Sequence, residues 1–600
     1  MMGLMIVCAT QVVMAQGTNA HWPTAAKDGF GTSTTLASKV WFTLANGVMT
    51  EVFYPRVDLP SIRTLQFQIV TGTKIENEID DTVHGLELPD QASLTFRQIN
   101  RAKSGAYKIT KTYITDPRRS SVLIHVDFDT QTDAQLHVLF DRSPIDKAAL
   151  VSTCGVAKLR QRQCTFVLGF ADTRAQARAT ARASLARGFA AVKREYEAGW
   201  ERYVATLPRI AKHQPQFNMA AMVLKGLEDK TYRGAVIASP STPWNGGPSG
   251  YHAVWARDLY QVATAFAALG DRATANRLLD YLFNVQQKSD GSFPQNSWVD
   301  GRPIGQGLQM DEVGLPLVLA YQLQRNDRLT WLKHIKPAAD FIVRRGPRTE
   351  QDRWEEKPGY SPATIAAEIA GLVCAADIAT TNGNRAAAKS YLHTADEWAG
   401  KVEQWTVTRG DGGSGYYLRI TENNDPNDGA KLEINSSTLV VDERKILDAG
   451  FLELVRLGIK PANDALIVES LKLIDQLIKV ETPYGAGWYR YNHDAYGATA
   501  NGGDYDGRNG VGRLWTLLTG ERGEYDVARG NLDSARKRLD TMAGFANSGS
   551  MLPEQWWEGS ETGSATPLAW SMAQFIRLAM SIEKGRNVEM PRVVLERYER

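Results

Sequence analysis

The sequence predicts a two-domain chain, an N-terminal antiparallel β-sandwich followed by a barrel of six helical hairpins. Three observations carry that expectation. Between about Thr34 and Phe170, segments rich in β-branched and aromatic residues alternate with polar ones and break at Gly, Pro or Asp. From Phe217 onward, apolar residues recur at helical spacing in about twelve segments. The loops before the even-numbered segments are long and rich in Trp, Tyr, Asp, Glu, Arg and Gly, whereas the connections from even to odd are short and plain. With 600 residues, 43% of them hydrophobic, the chain can bury two cores.

The sandwich reading rests on Lys39-Val40-Trp41-Phe42-Thr43-Leu44, on Leu65 to Val70, on Tyr107 to Tyr113 and on Val122 to Phe128, each of which alternates as a half-buried strand does. A charged, alanine-rich helical stretch from Thr173 to Leu207 is expected to link or brace the two domains. The helical segments lie near 217–230, 257–270, 273–288, 310–325, 329–345, 362–382, 384–403, 443–457, 464–479, 509–520, 529–547 and 566–582. If the even-numbered helices form an inner ring, their long loops share one rim, and residues hundreds of positions apart meet over one pocket. The expected domains are a signal or disordered N-terminus at 1–20, the sandwich at 21–170, the helical linker at 171–212, the barrel at 213–585 and a C-terminal tail at 586–600.

Composition narrows the partners. Lys plus Arg number 69 against 67 Asp plus Glu, so no global field favours nucleic acid or an anionic membrane, and a neutral partner is expected. The four cysteines, Cys8, Cys154, Cys164 and Cys374, form no CxxC pair, which argues against a zinc site or a disulfide scaffold and leaves a Cys154–Cys164 bridge open. Met1 to Ala15 is apolar and ends in small residues, as in a signal peptide, though without a basic n-region. Export is therefore expected, to the periplasm or outside the cell, with a truncated signal. No other run approaches the eighteen or so apolar residues of a membrane span, and the chain is expected to act as a monomer.

The chemistry is in the loops. Breaking a glycosidic bond requires a proton donor for the leaving oxygen and a second carboxylate. Two tryptophan-flanked glutamates meet that need, Glu355 in Trp354-Glu355-Glu356 and Glu554 in Pro553-Glu554-Gln555-Trp556-Trp557. Burial beside Trp354 and repulsion from Glu356 are expected to keep Glu355 protonated. Taken alone, each motif is only an acid favourable at a helix start; their company on the rim marks them. Arg257 and Asp258, in Tyr251-His252-Ala253-Val254-Trp255-Ala256-Arg257-Asp258-Leu259, suit sugar hydroxyls, and Trp and Tyr rings suit the C–H face of a pyranose.

These motifs resemble those of bacterial glucoamylases and glucodextranases of glycoside hydrolase family 15, over nearly everything from Gly29 to Ile582. The resemblance is carried by Ala37 to Leu44, Thr50-Glu51-Val52-Phe53-Tyr54-Pro55, Trp255 to Tyr260, Gln309-Met310-Asp311-Glu312, Arg353-Trp354-Glu355-Glu356, Tyr489-Arg490-Tyr491, Gly512 to Gly523, Leu552-Pro553-Glu554-Gln555 and Ala569-Trp570-Ser571. It implies a β-sandwich followed by an (α/α)6 barrel, and exo-acting hydrolysis of α-1,4- or α-1,6-linked glucans that releases β-D-glucose with inversion. By motif, Glu355 resembles the general acid and Glu554 the general base. Glu356, Arg257, Asp258 and Arg490 resemble substrate-binding groups, and Trp255, Trp354, Trp570 and Tyr251 the aromatic walls. Inversion requires carboxyls roughly 6.5–9.5 Å apart.

The sequence departs from that pattern in two places. Between Phe140 and Thr165 the sandwich is several dozen residues short, which predicts missing strands and exposed edges. Gly305-Gln306-Gly307 stands where an aromatic residue is expected, which points to a changed acceptor side. Alternative readings are an inverting phosphorylase, against which Glu554 argues, a catalytically silent carbohydrate-binding protein, and a helical-barrel terpene cyclase, whose aspartate-rich motifs are not found. No cofactor is required; a structural calcium at Asp411-Gly412-Gly413 or Asn423 to Asp428 is left open.

Overall fold

A computed structural model describes residues 24–142, 147–153, 161–245, 250–409, 415–558 and 563–599. Two six-stranded antiparallel sheets form the N-terminal sandwich. One runs Gly29–Gly31, Trp41–Ala45, Val48–Phe53, Pro60–Thr71 and Gln135–Arg142, with Lys74–Asn77 also paired to Pro60–Thr71. The other runs Ala148–Ser152, Gln161–Phe170, Ser121–Thr130, Tyr107–Thr115, Phe96–Ala102 and Thr82–Glu87. Period-two alternation explains the layering: Leu65, Phe67 and Ile69 are buried between half-buried Gln66, Gln68 and Val70. Phe67 meets Phe166 of the opposite sheet with ring centroids 5.1 Å apart.

In the described part of the stretch read as shortened, Ala148–Ser152 pairs with Gln161–Phe170. Helix Arg174–Arg187 packs over both strands and so covers that edge. The opposite flanks do expose apolar side chains, Ile75 and Val83. Thr173 opens that helix with a capping box to Gln176, and Gly188, at φ +76°, separates it from Phe189–Val204. The second helix braces the sandwich: the Trp200 indole donates to the Thr32 carbonyl at 2.9 Å and the Tyr196 hydroxyl to that of Leu94 at 2.9 Å.

The helical domain contains twelve successive helical segments among the described residues: Gln214–Gly226, Ala256–Leu269, Arg272–Tyr281, Asp311–Gln322, 328–345, Pro362–Thr381, Arg385–Thr406, Leu452–Arg456, Ala465–Leu477, Thr516–Ala528, Leu532–Gly544 and Ala569–Lys584. The even-numbered members are buried almost all round. Each packs on the next, and the twelfth returns to the second. That closed inner ring, with odd-numbered helices outside, is the (α/α)6 barrel. Pro362–Thr381 belongs to it and corrects one expectation, because it is long and apolar enough to cross a membrane. Its apolarity is that of a core helix, 89% of its apolar window being buried.

Two helices differ from their expected spans. The eighth, expected at 443–457, is reduced to Leu452–Arg456, because the Asp448 carboxylate accepts from the Gly450 N–H at 2.9 Å and fixes a turn just before it. The tenth, expected at 509–520, begins only at Thr516. Ahead of it Leu514–Trp515 pairs with Gln555–Trp556, and a Cβ on Gly510 would lie 2.3 Å from the Ala495 carbonyl, so 509–515 is bound as an extended strap.

The two domains are interwoven. Ala26 pairs in parallel with Thr566, the Ala25 carbonyl accepts from Ser241 Oγ at 2.8 Å, and Asn547 Nδ2 donates to the Lys27 carbonyl at 2.8 Å. The segment after 585 returns to the barrel: Arg592–Tyr598 is helical, Val594 is buried, and Glu589 pairs with Arg456 and Arg577 at 2.7 Å each. Cys164 is disulfide-bonded and Cys374 is free and buried. Residues 1–23, with the expected signal, Cys154 and Asp411 to Gly413 all lie outside the described residues.

Candidate active site

The loops before the even-numbered helices converge on a cavity of about 290 Å³. All ten residues selected from the sequence line it: Tyr251, Trp255, Arg257 and Asp258 at the second helix, Trp354, Glu355 and Glu356 before the sixth, Arg490 before the tenth, and Glu554 and Trp570 at the twelfth. Arg353, Asn435, Ser436, Tyr496 and Trp515 also line it. The loop before the fourth helix stands behind this wall, with Gln295 and Gln309 supporting Glu355 and Arg257.

Glu554 is positioned by the short ladder Leu514–Trp515 with Gln555–Trp556, and its own N–H donates to the Ala565 carbonyl at 2.8 Å. Oε1 accepts from the Tyr251 hydroxyl at 2.7 Å, and that hydroxyl lies 2.6 Å from the hydroxyl of Tyr496. Oε2 is buried and, among the described residues, takes no hydrogen bond from the protein. Burial pushes the carboxyl up to about 8, against the lowering effects of the Tyr251 hydrogen bond and the Arg490 charge.

Glu355 sits differently. Its φ of +66° is a left-handed conformation that costs a non-glycine residue about 1–3 kcal/mol, a strain characteristic of functional positions. Oε1 accepts from Arg257 Nη2 at 3.2 Å and Oε2 from Gln295 Nε2 at 2.7 Å, while 26% of the side chain remains exposed. The expected repulsion from Glu356 is absent. The Glu356 carboxylate is bound by Arg419 at 2.6 Å, Arg490 at 2.9 Å and the Tyr491 hydroxyl at 2.6 Å. Burial alone raises its pKa, but Arg490 and Arg419 outweigh that and hold it below the usual carboxylate range. Trp354 lines the cavity with its ring, while its indole N–H donates to Asp448 at 3.0 Å.

Arg490 is the centre of the clamp. Its fork binds Asp494 at 2.8 and 2.7 Å, and its guanidinium lies 4.9–5.3 Å from the ring centroids of Trp354, Tyr491, Tyr496 and Trp515. Trp354 also stacks near Trp570, at 6.4 Å and 25°, and Tyr251 meets Trp255 edge-on at 5.8 Å. Arg257, over the Trp570 ring at 5.4 Å, lies 3.5 Å from Asp258. Burial raises Asp258 to about 6, with the Arg257 charge opposing. The cavity therefore joins two carboxyls in unlike surroundings, an arginine–carboxylate clamp and aromatic walls, the equipment for protonating one side of a sugar acetal while a nucleophile is activated on the other.

Gly305 and Gly307 have a local reason. A Cβ on Gly305 would lie 2.3 Å from Gln295 Oε1 and one on Gly307 2.0 Å from Gln351 Oε1, so both glycines leave room for glutamines, of which Gln295 reaches Glu355. The oxygens of Asn423, Asp425 and Asp428 accept from neighbouring side-chain and backbone N–H groups. Among the described residues no group of three or more His, Cys, Asp or Glu is arranged to hold a metal ion. Tyr496, Asp494 and Trp515 are near neighbours of selected motifs, so the same loop richness marks them. Asn435 and Ser436 carry no such signal.

Residues 216–580 match the glycosyl hydrolases family 15, and residues 13–145 and 143–205 match glucodextranase, domain N, in two pieces that meet at the start of the stretch read as shortened. The chain is similar to a glucoamylase of Clostridium sp. (strain G0005), 37% identical over 98% of this chain and 94% of that one. It is also similar to Glucoamylase 1 of Rhizopus oryzae, 24% identical over 50% and 52%. A crystal structure of a bacterial glucoamylase complexed with acarbose superposes with a TM-score of 0.89 at 35% identity, covering 98% of this chain and 99% of that chain.

Proposed function

Because the chain belongs to the glycosyl hydrolases of family 15, we propose that it is an exo-acting, inverting glucoamylase-type enzyme that releases β-D-glucose from the non-reducing ends of α-1,4- or α-1,6-linked glucans, acting as a monomer and without a cofactor. The observation that carries this reading is the pairing of unlike carboxyls in one cavity: Glu355 open toward the rim, and Glu554 buried with one oxygen free of partners among the described residues. In this mechanism the terminal glucose lies between the Arg490 and Arg257 clamps with its C–H face on the tryptophans. Glu355 donates its proton to the leaving oxygen, and its new charge is taken up by Arg257 and Gln295. Glu554 acts in its ionised form, which burial disfavours up to about pH 8 and which Tyr251 and Arg490 favour, and in that form it removes a proton from the attacking water through Oε2.

The test is to incubate the protein with maltose and with isomaltose in phosphate-free buffer and follow the anomeric protons by NMR. β-Glucose appearing first from either substrate supports the reading, and the ratio of the two rates gives the linkage preference. α-Glucose appearing first, or glucose 1-phosphate formed only when phosphate is added, overturns it. Export is part of the same proposal, supported by the apolar run Met1 to Ala15. Sequencing the N-terminus of protein recovered outside the cytoplasm tests it.

A further inference from the structure

Asn435 and Ser436 belong to a hairpin, Lys431–Glu433 paired with Val440–Asp442, that the sequence reading passed over and that stands at the cavity mouth. Its outer side is open: Leu439 and Val440 are exposed, in contrast to the buried clamp below. The tip is nonetheless fixed. The Ile434 N–H donates to the Leu439 carbonyl at 2.9 Å, the Leu439 N–H to Ser437 Oγ at 3.1 Å, and Ser436 adopts a left-handed φ of +61°. Ser436 Oγ meets the Tyr505 hydroxyl, and the Tyr505 ring packs against Tyr496 at 5.5 Å and Trp244 at 5.4 Å. The hairpin is thus tied to the aromatic group that adjoins Glu554. Asn435, half-buried on the cavity wall, makes no hydrogen bond to the protein among the described residues, so a carboxamide with two donors and an acceptor is held at the entrance without a partner.

We infer that this hairpin forms part of the acceptor side of the site, Asn435 hydrogen-bonding hydroxyls of the sugar that departs, with the Ser436–Tyr505 contact holding it in place. The inference rests on the hydrolase reading above. The sugar that stays is bound by the buried arginines, and Glu355 faces the rim, so the leaving sugar lies between Glu355 and the mouth, where Asn435 is. An amide at this point recognises a hydroxylated ring of either linkage and has nothing to grip on a leaving group without hydroxyls.

α-Glucosyl fluoride supplies that comparison, because its leaving group is a single atom. For Asn435→Ala the ratio of kcat/KM on maltose to kcat/KM on α-glucosyl fluoride is expected to fall about tenfold, the loss of one well-made hydrogen bond. Tyr505→Phe, which keeps the ring packing and removes the hydroxyl contact, should lower the same ratio by a smaller factor. A ratio unchanged in Asn435→Ala, whether both activities persist or both fall together, overturns the assignment. A wild-type protein that hydrolyses neither compound instead overturns the hydrolase reading itself.

Discussion

Tyr251 and Glu554 share a 2.7 Å hydrogen bond, and once the carboxyl is ionised the phenol is its donor, because an ionised carboxylate only accepts. That direction fixes the next one: with its hydrogen committed to Glu554, Tyr251 must accept from Tyr496 across their 2.6 Å contact. Two tyrosines in series therefore favour the charged form of a carboxyl that burial disfavours.

Tyr251→Phe should raise the Glu554 pKa further. A base is active when ionised, so activity is lost as pH falls through its pKa, and the acid limb of kcat/KM should move to higher pH. A hydrogen bond to a charged group contributes about 1.5–3 kcal/mol, or roughly one to two pH units. Tyr496→Phe should move the limb the same way by less. A limb that stays in place or moves downward in both variants refutes the link.

Glu355→Gln should lower kcat on maltose by about 10²–10⁴-fold, with KM little changed. An aryl α-glucoside with an acidic phenol leaves with little protonation, so it should lose much less. Equal losses on the two substrates would mean that Glu355 is not the proton donor.

Glu554→Gln should change the pH dependence of stability. The folded carboxyl is raised from 4.5 to about 8 by burial, so the native state holds its proton longer than the unfolded chain does. That contribution is full below about 4.5 and lost as pH rises through 8. The variant should gain stability over wild type by a few kcal/mol between these limits and hold a constant advantage above them. Urea melts at several pH values measure it; a difference independent of pH contradicts the burial argument.

Arg490→Lys should lower kcat/KM by roughly 10²-fold while the protein stays folded, since a lysine cannot serve Asp494 bidentately and Glu356 together. Arg490→Ala, which leaves both acids buried beside one missing charge, should cost about 3–5 kcal/mol in unfolding experiments.

Much of this was legible because hydrophobic period and loop composition are local signals. The strands around Leu65 to Ile69 alternate, and the inner helices are apolar throughout, so the fold could be read in outline. Tyr251, Arg257, Glu355 and Glu554 stand out because aromatic and charged residues crowd the same loops. The short eighth helix was not legible, since the turn that limits it is made by Asp448, whose other partner, Trp354, comes from a distant loop. Nor was the surrounding of Glu355: local sequence places Glu356 beside it, whereas Arg419, far along the chain, removes that charge. Asn435 and Ser436 are unremarkable residues in a polar hairpin, and only the folded chain brings them to the cavity.

The seam at Ala26 and Thr566 governs how the molecule is made. Residues as distant as Lys27 and Asn547, 520 positions apart, are in direct contact, and the segment that carries Glu554 is braced by residues 25–27, just ahead of the first described strand. Loop closure of that length precedes the contacts that reward it. A nascent chain emerging from the ribosome can fold its sandwich early, but the barrel lacks its last hairpin, and Ala26 lacks its backbone partner Thr566, until the segment beyond residue 550 has been made. Maturation should therefore be late and all at once, and a ribosome-bound chain stalled before residue 550 should remain sensitive to protease throughout its helical domain.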